Sequence, residues 1–569
     1  MKSMRVARVD LTKNTVKISE IPKEWERLYI GGKGIATKLL FEIPAGVDPF
    51  HPENAIVFGI GPISGLNLPG ASKMTCVFKS PLTNGYGESQ CGGYIAREFR
   101  RAGIDFLFVV GRAKRPVYIV VEDDDIEIRD ASHLWGKDAF ETEEILKRDH
   151  RGEVLSIGQA GENLVRFACI THRKGRQFGR CGAGAVMGSK KLKAIVVKGS
   201  KDVEVFDSNR FREFRGELIE NAKEKLASMS KYGTPGMLTI TNEAGVLPTR
   251  YWSKGSFEHC EEISAEVISK YVKRRTACYG CTVACGFVIE IDGVEVEGPE
   301  YETLYALGSL CEVRDLKYIA KASELCDRYG LDTITTGNVI AFLMECCERG
   351  EVKEDIRFGE GEKIVEFVNK IAFREGIGDV LAEGVKRASE ILGVSVEPVH
   401  VKGLEPAGYD PRGLYGMALA YVTSQRGACH MRSCIYRPNL FGTVDRFSLN
   451  QAPFVKDLED FYCVVDSLVM CRFLCLPVVG LYWNEIAELY KIVTGVEVSV
   501  DELKRIGERI FMLTLEFNKR EGVRDYKLPK TFFKPIKVHG KEYVVKEDDL
   551  NRMLEEYFRL RGIDLNELR

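Results

Sequence analysis

The stretch RRTACYGCTVACG holds Cys278, Cys281 and Cys285 close together. Their C-x2-C-x3-C spacing suits metal ligation by thiolates, because a chain with no export signal keeps its cysteines reduced. Three thiolates neither close a tetrahedral zinc site nor reach every iron of a 4Fe–4S cube. The triplet therefore predicts a fourth ligand elsewhere in the chain. Zinc, a reduced metal-free cluster and a 4Fe–4S cluster are the open readings, the last if a fourth cysteine exists. The order is the reverse of the radical-enzyme C-x3-C-x2-C, which speaks against that class.

Two further segments share a pattern. CDRYGLDT carries Asp327, Gly330, Leu331 and Asp332, and VVDSLVMCRF carries Asp466 and Cys471. An aspartate at a helix end, followed by loop amides, can take two parallel N–H bonds from a planar heterocycle. Its ordinary alternative is a solvated aspartate at a helix C-terminus. GPEYET offers Glu300 and Glu302, and QRGACH offers His430. Each, taken singly, is as well explained by a surface glutamate or a satisfied histidine. The loops GIGPISG (59–65) and GRCGAGAVMG (179–188) miss the dinucleotide fingerprint, because the third glycine falls one place late. They read as tight turns or as phosphate-contacting loops.

The elements that must position these groups follow from hydrophobic period and punctuation. Residues 1–205 are rich in short β-branched runs: 55–62, 106–111, 117–130 and 192–199. From about 206 the period becomes helical, with Asp207 or Ser208 as an N-cap. Segments 316–330 and 378–393 predict further helices, and Gly330 is a natural residue to end the first. The layout is an α+β multidomain chain. A β-rich domain (1–205) precedes two mainly helical domains, 206–400 with the cysteine triplet and 401–569 with Cys471. No long linker or low-complexity tract separates them, so the domains should pack closely.

A chain of 569 residues implies roughly two to four domains. Lys plus Arg number 81 and Asp plus Glu 83, so the net charge of −2 argues against a nucleic-acid partner. The N-terminus lacks the apolar core of a signal peptide. The apolar run from Leu468 to Trp483 contains Arg472, Pro477 and Gly480 and is too short for a bilayer, so it reads as buried core. The expected location is cytoplasmic, with no membrane partner.

KSPLTNGYGESQCGGY, AGENLVRFACI, GAVMGSKKLKAI, the triplet, EGPEYE, DRYGLDT, PAGYDPRG and RGACH occur in this order. Together they resemble the tungsten-containing aldehyde:ferredoxin oxidoreductase family nearly end to end. The resemblance implies a 4Fe–4S cluster on Cys278, Cys281, Cys285 and Cys471. It implies one pterin at Asp327 and Asp332 and a second at Asp466. The two pterins would hold tungsten, with molybdenum the second choice, and no side chain on the metal. Lys73, Gln90, Arg176, Gln177, Arg180 and Arg432 would contact pterin phosphates and a bridging magnesium. Gly92, Gly93, Gly330, Leu331 and Met470 would complete the cofactor contacts, with the β-rich domain as base. Glu302 would position water and His430 would handle a proton at the carbonyl oxygen. Partners would be a small aldehyde, ferredoxin and a second copy of the chain.

The chain departs from the family pattern at several points. Val469 stands where glycine is favoured and should resist a positive φ, which makes Cys475 a rival fourth ligand. Lys73 replaces an arginine and so loses the bidentate fork, and Gln90 replaces an asparagine. Lys321 and Glu324 lie where some members carry an E-x-x-H motif, so an interface iron is not expected. The competing functions are a relative that reduces activated acids or takes a sugar-phosphate aldehyde, and a zinc-stabilised scaffold.

Overall fold

A computed structural model describes residues 3–475 and 479–565. Two six-stranded sheets fill the N-terminal part. The first contains β1 (Arg5–Asp10), β2 (Thr15–Glu20), β3 (Ile56–Gly59), β4 (Met74–Lys79), β5 (Tyr86–Cys91) and β6 (Phe106–Val110), in the order β2-β1-β6-β3-β4-β5. The second contains β7 (Val117–Glu122), β8 (Asp125–Asp130), β9 (Glu153–Ser156), β10 (Ile170–His172), β11 (Arg176–Phe178) and β12 (Leu192–Lys198), in the order β11-β10-β9-β12-β7-β8. The predicted runs fall on β3, β6, the β7–β8 hairpin and β12. β3, β6 and β12 are almost wholly buried, which explains why they read as continuous apolar runs rather than alternating ones. The edge strands β5 and β11 pack on each other, and Arg180 N donates to Ser89 Oγ at 3.3 Å across the seam.

Helices dominate the rest of the chain. Asp207 caps the helix Ser208–Lys225 by accepting from Asn209 N and Arg210 N. The helix Leu316–Tyr329 ends on Gly330, at φ 74° and ψ 61° in the left-handed region. The stretch 378–393, expected as one helix, is two: Ile377–Leu381 and Val385–Leu392. Gly384 breaks it at φ 84°, where a Cβ would stand 2.5 Å from Leu82 Cδ1. A small third sheet joins β13 (Val272–Thr276), β14 (Gly286–Ile291) and β15 (Val294–Glu297).

One hydrophobic core runs from Ala7 to Leu565 and joins the sheets to the helices. Within the apolar run 468–483, Leu468, Val469, Met470, Leu474, Cys475, Val479, Leu481 and Trp483 are buried, as expected, while Gly480 is exposed. Pro477 and its two neighbours, residues 476 and 478, lie outside the described residues. Among the described residues no helix is long and apolar enough to cross a membrane.

Candidate active site

The connection between the antiparallel strands β13 and β14, residues 277–285, carries the cysteine triplet. Gly93 N donates to Cys278 Sγ at 3.3 Å, and Gly93 O accepts from Tyr279 N at 3.0 Å. A Cβ on Gly92 would stand 2.9 Å from the same sulfur, which explains a glycine there. Cys471 is held by its N–H to Gly70 O at 2.8 Å, and Cys281 borders the same glycine. Burial first, then the proximity of Cys471, pushes up the Cys281 thiol. Burial, then Glu300 and Cys471, raise Cys285. Cys471 thus lies beside the triplet although it is remote in sequence. The four are half-buried, whereas Cys475 is fully buried with its sulfur 3.9 Å from Met470 Sδ. Among the described residues no three His, Cys, Asp or Glu side chains converge on a single ion position.

Asp327 lies on the last turn of its helix and accepts a hydrogen bond from Gln177 Nε2. Burial pushes its carboxyl well above the usual range, and Glu297, Glu324 and Glu300 add to the effect. Asp327, Gly93 and Arg176 line a cavity of about 300 Å³. Arg176 crosses to the third sheet, 2.8 Å from Glu297 and 3.2 Å from Thr276 Oγ1. Leu331 is buried, and its N–H bonds Cys326 O at 2.8 Å. Asp332 is the N-cap of the helix Thr333–Glu348, accepting from Ile334 N and Thr335 Oγ1, each at 3.0 Å, and from Arg180 Nε at 2.9 Å. It is already well paired within the protein.

The second aspartate sits near the end of the helix Ala452–Leu468. Asp466 accepts from Gln90 Nε2 at 2.9 Å, from Arg432 Nη1 at 3.0 Å and, through both oxygens, from Arg472. Arg432 also pairs with Glu88, which Lys33 approaches at 2.9 Å. Arg432 and Lys33 outweigh burial and hold Glu88 well below the usual carboxylate range. Lys33, Glu88 and Arg472 escaped the sequence reading, because nothing in their spacing links them to Asp466. Val469 does adopt the positive φ that its type disfavours, 59° with ψ 48°, and caps the helix with its N–H on Val465 O. Met470 follows, buried, with its N–H also on Val465 O at 3.0 Å. Lys73 is half-buried, with its charge felt at Cys91 and Cys475.

Glu302 and His430 meet between these two regions. Glu302 lies in the helical turn Tyr301–Thr303, which runs into a π-helical turn at Leu304–Gly308. Such turns recur at functional sites. Its Oε2 accepts from Gly408 N at 2.9 Å, and its Oε1 lies 3.5 Å from His430 Nε2. Burial pushes the Glu302 carboxyl up to about 8, against the lowering effects of Gly408 N–H and Arg180. Burial also lowers His430 far below its usual range, reinforced by Arg426, Arg180, Arg472 and Arg432. At neutral pH the pair is a protonated carboxyl beside a neutral imidazole, not an ion pair. Glu302 Oε1, His430 Nδ1, Arg180 Nη1, Arg426 Nε and Arg432 Nε are buried without hydrogen-bond partners among the described residues.

Two further groups escaped the sequence reading, Cys429 next to His430 and Glu405 beside Arg180. Cys429 Sγ accepts from Arg426 Nη2 at 2.9 Å and Met431 N at 3.2 Å. Burial opposes its ionisation, but Arg426 and Arg432 bring the thiol to about 7. Glu405, raised to about 7 by burial, accepts from Thr335 Oγ1 and Val385 N, each at 2.8 Å, while its carbonyl accepts Arg180 Nη2 at 2.9 Å. Cys429 lies inside RGACH, and Glu405 immediately precedes PAGYDPRG.

Two family models match the chain: the aldehyde ferredoxin oxidoreductase N-terminal domain at residues 6–199, and domains 2 and 3 of the same family at 211–567. The chain is similar to the tungsten-containing aldehyde ferredoxin oxidoreductase of Thermococcus kodakarensis, with 38% identity over 98% of this chain and 96% of that one. The enzyme of the same name from Pyrococcus furiosus is 37% identical over the same shares. A solved structure of the active-site complex BamBC of benzoyl coenzyme A reductase with 1,5-dienoyl-CoA superposes with a TM-score of 0.86. It has 24% identity and covers 99% of this chain and 96% of that one, which shows a shared fold. The chain is an oxidoreductase and belongs to the tungsten-containing aldehyde ferredoxin oxidoreductase family.

Proposed function

We propose that the protein oxidises an aldehyde with water to a carboxylic acid and passes the two electrons to ferredoxin. The observation that carries this reading is the Glu302–His430 pair, 18% and 12% exposed at its side chains, with Asp332 near Glu302 and the Asp466 partners Arg432 and Arg472 near His430. The residues fit the family's cofactor. Unpartnered nitrogens of Arg180, Arg426 and Arg432 suit an anionic ligand, and the cavity at Asp327 has room beside it. Asp327 and Asp466 would take the pterin heterocycles. Arg176, Arg180, Arg432 and Lys73 would take their phosphates with the bridging magnesium. At Asp466 the ligand must displace a donor, because Gln90, Arg432 and Arg472 already occupy its oxygens. A bis-pterin tungsten centre bound there would supply the two-electron acceptor. Cys278, Cys281, Cys285 and Cys471 would hold the 4Fe–4S cluster. Cys471 and Cys281 both meet Gly70, and Cys471 is felt at Cys281 and Cys285, which supports grouping the four thiols.

The charge states suggest how the chain's own groups divide the proton work. Aldehyde oxidation releases two protons and two electrons as water adds to the carbonyl carbon. A protonated Glu302 can donate to the carbonyl oxygen, and a neutral His430 can take the proton of the entering water. This reverses the roles expected from sequence, because burial leaves the proton on the carboxyl. The test is anaerobic protein carrying tungsten and iron, assayed with an aldehyde panel and ferredoxin. Aldehyde-dependent ferredoxin reduction is expected. Stoichiometric zinc, no tungsten and no turnover would overturn the reading.

A further inference from the structure

Aromatic rings close one side of the Glu302–His430 pair. Tyr409 and Tyr436 stack with centroids 4.1 Å apart and planes 25° apart. His430 lies 5.5 Å from Tyr409 and 5.9 Å from Tyr436, and Tyr301, next to Glu302, packs on Tyr409 at 5.3 Å. Two of these rings belong to fixed structure. Tyr301 OH donates to Gly408 O, and the Tyr409 carbonyl accepts Tyr421 OH at 3.0 Å.

Tyr436 differs in where it comes from. It is the first residue of the short helix Tyr436–Leu440, which leads into Phe441, 61% exposed, and a largely exposed segment beyond. Tyr436 itself is only 3% exposed, and its hydroxyl accepts from Arg437 Nε at 3.3 Å. Its ring packs beside the pair, with the Arg437 guanidinium 5.8 Å from the ring centroid. Among the described residues Glu302 Oε1 and His430 Nδ1 have no hydrogen-bond partner, and the rings of Tyr409 and Tyr436 lie within 6 Å of the imidazole. Burial keeps the tyrosine hydroxyls protonated, so the rings themselves are uncharged. A stacked pair of neutral rings favours a flat, polarisable group packed in offset or edge contact.

We propose that Tyr436, stacked on Tyr409 beside His430, is a specificity-determining residue that favours planar aromatic side chains on the aldehyde over short aliphatic ones. This rests on the aldehyde reading above. The test compares Tyr436→Leu and Tyr436→Phe in the loaded enzyme, with benzaldehyde and acetaldehyde as substrates. Benzoate and acetate binding, followed by calorimetry, give a readout that needs no turnover. Loss of one aromatic contact is expected to weaken benzoate binding and raise the benzaldehyde KM about tenfold in Tyr436→Leu, with kcat and the acetaldehyde and acetate values within about threefold. Tyr436→Phe should behave like the parent. Equal effects on both substrate classes, or unchanged benzoate binding, would overturn the proposal. If the parent enzyme binds benzoate through Tyr436 yet oxidises no aldehyde, the aldehyde reading fails and the aromatic wall stands. If it oxidises both aldehydes and Tyr436→Leu treats them alike, the wall fails and the aldehyde reading stands.

Discussion

A Cβ placed on Gly32 would stand 2.4 Å from Val469 Cγ2 and 2.7 Å from Asp466 O. This contact explains how a β-branched residue keeps a left-handed backbone next to the second aspartate. The conformation costs roughly 1–2 kcal/mol. Full burial of the valine against Gly32 and the cap bond to Val465 O offset it.

Gly32→Ala should therefore destabilise the protein by about 2–3 kcal/mol, as overpacking does. Adding Val469→Ala should restore only part of the loss, because Asp466 O remains in the way. Denaturant unfolding of the single and double variants checks this. An unchanged midpoint for Gly32→Ala would refute the packing.

Glu302 carries its proton up to about pH 8. If the protonated form donates in the reaction, kcat should fall as pH rises through that value. Glu302→Gln keeps the shape and removes the proton, so kcat should drop by about 10²–10⁴ with tungsten content unchanged. The same shift has a stability sign. The unfolded carboxyl ionises near its model value of 4.5, whereas the folded one holds its proton to about 8. Stability from this group is thus full below 4.5 and lost as pH rises to 8. Glu302→Gln should then raise Tm at pH 8 and change it least at pH 4.5.

The cluster assignment separates two cysteines. Cys471→Ala should lose iron and the visible cluster absorption, because Cys471 lies among the triplet. Cys475→Ala should keep the iron and cost only core packing, on the order of 1 kcal/mol. Iron and sulfide analysis of both variants decides it, and the reverse outcome would make Cys475 the ligand.

Arg561 is fully buried, 2.9 Å from Asp460 and 3.3 Å from Glu459, with Nε donating to Tyr557 OH at 2.7 Å. It fastens the C-terminal helix Glu547–Leu560 to the helix that carries Asp466. Arg561→Ala leaves Glu459 without a cation and Asp460 with Lys456 alone, and should cost about 3–5 kcal/mol. Lys491→Ala, which breaks an exposed pair with Glu497, should cost under about 1 kcal/mol. Similar Tm changes for the two would contradict the assigned role of burial.

Much of the architecture was legible because its signals are local. The runs on β3, β6 and β12 declare themselves by composition, and Asp207 and Gly330 mark helix ends by their backbone preferences. The helix expected over 378–393 failed for a non-local reason, the close approach of Leu82 to Gly384. Glu88 and Arg432, 344 residues apart, form a pair that no periodicity announces. Val469 was misjudged because intrinsic φ preference is a local quantity that packing against Gly32 overrode.

By itself the sequence determined which chemistry is available: thiols at cluster spacing, aspartates at two helix ends, and a glutamate and a histidine in distinctive motifs. Side-chain types and short spacings are local properties and survive without the fold. Only the tertiary structure decided that Cys471 joins the triplet, that Asp466 is surrounded by Arg432, Arg472 and Gln90, and that Glu302 meets His430. It also decided the charge states. Burial raises the carboxyl to about 8 against the pull of Arg180, and burial with four arginines keeps the imidazole neutral; these groups come together only when distant segments pack.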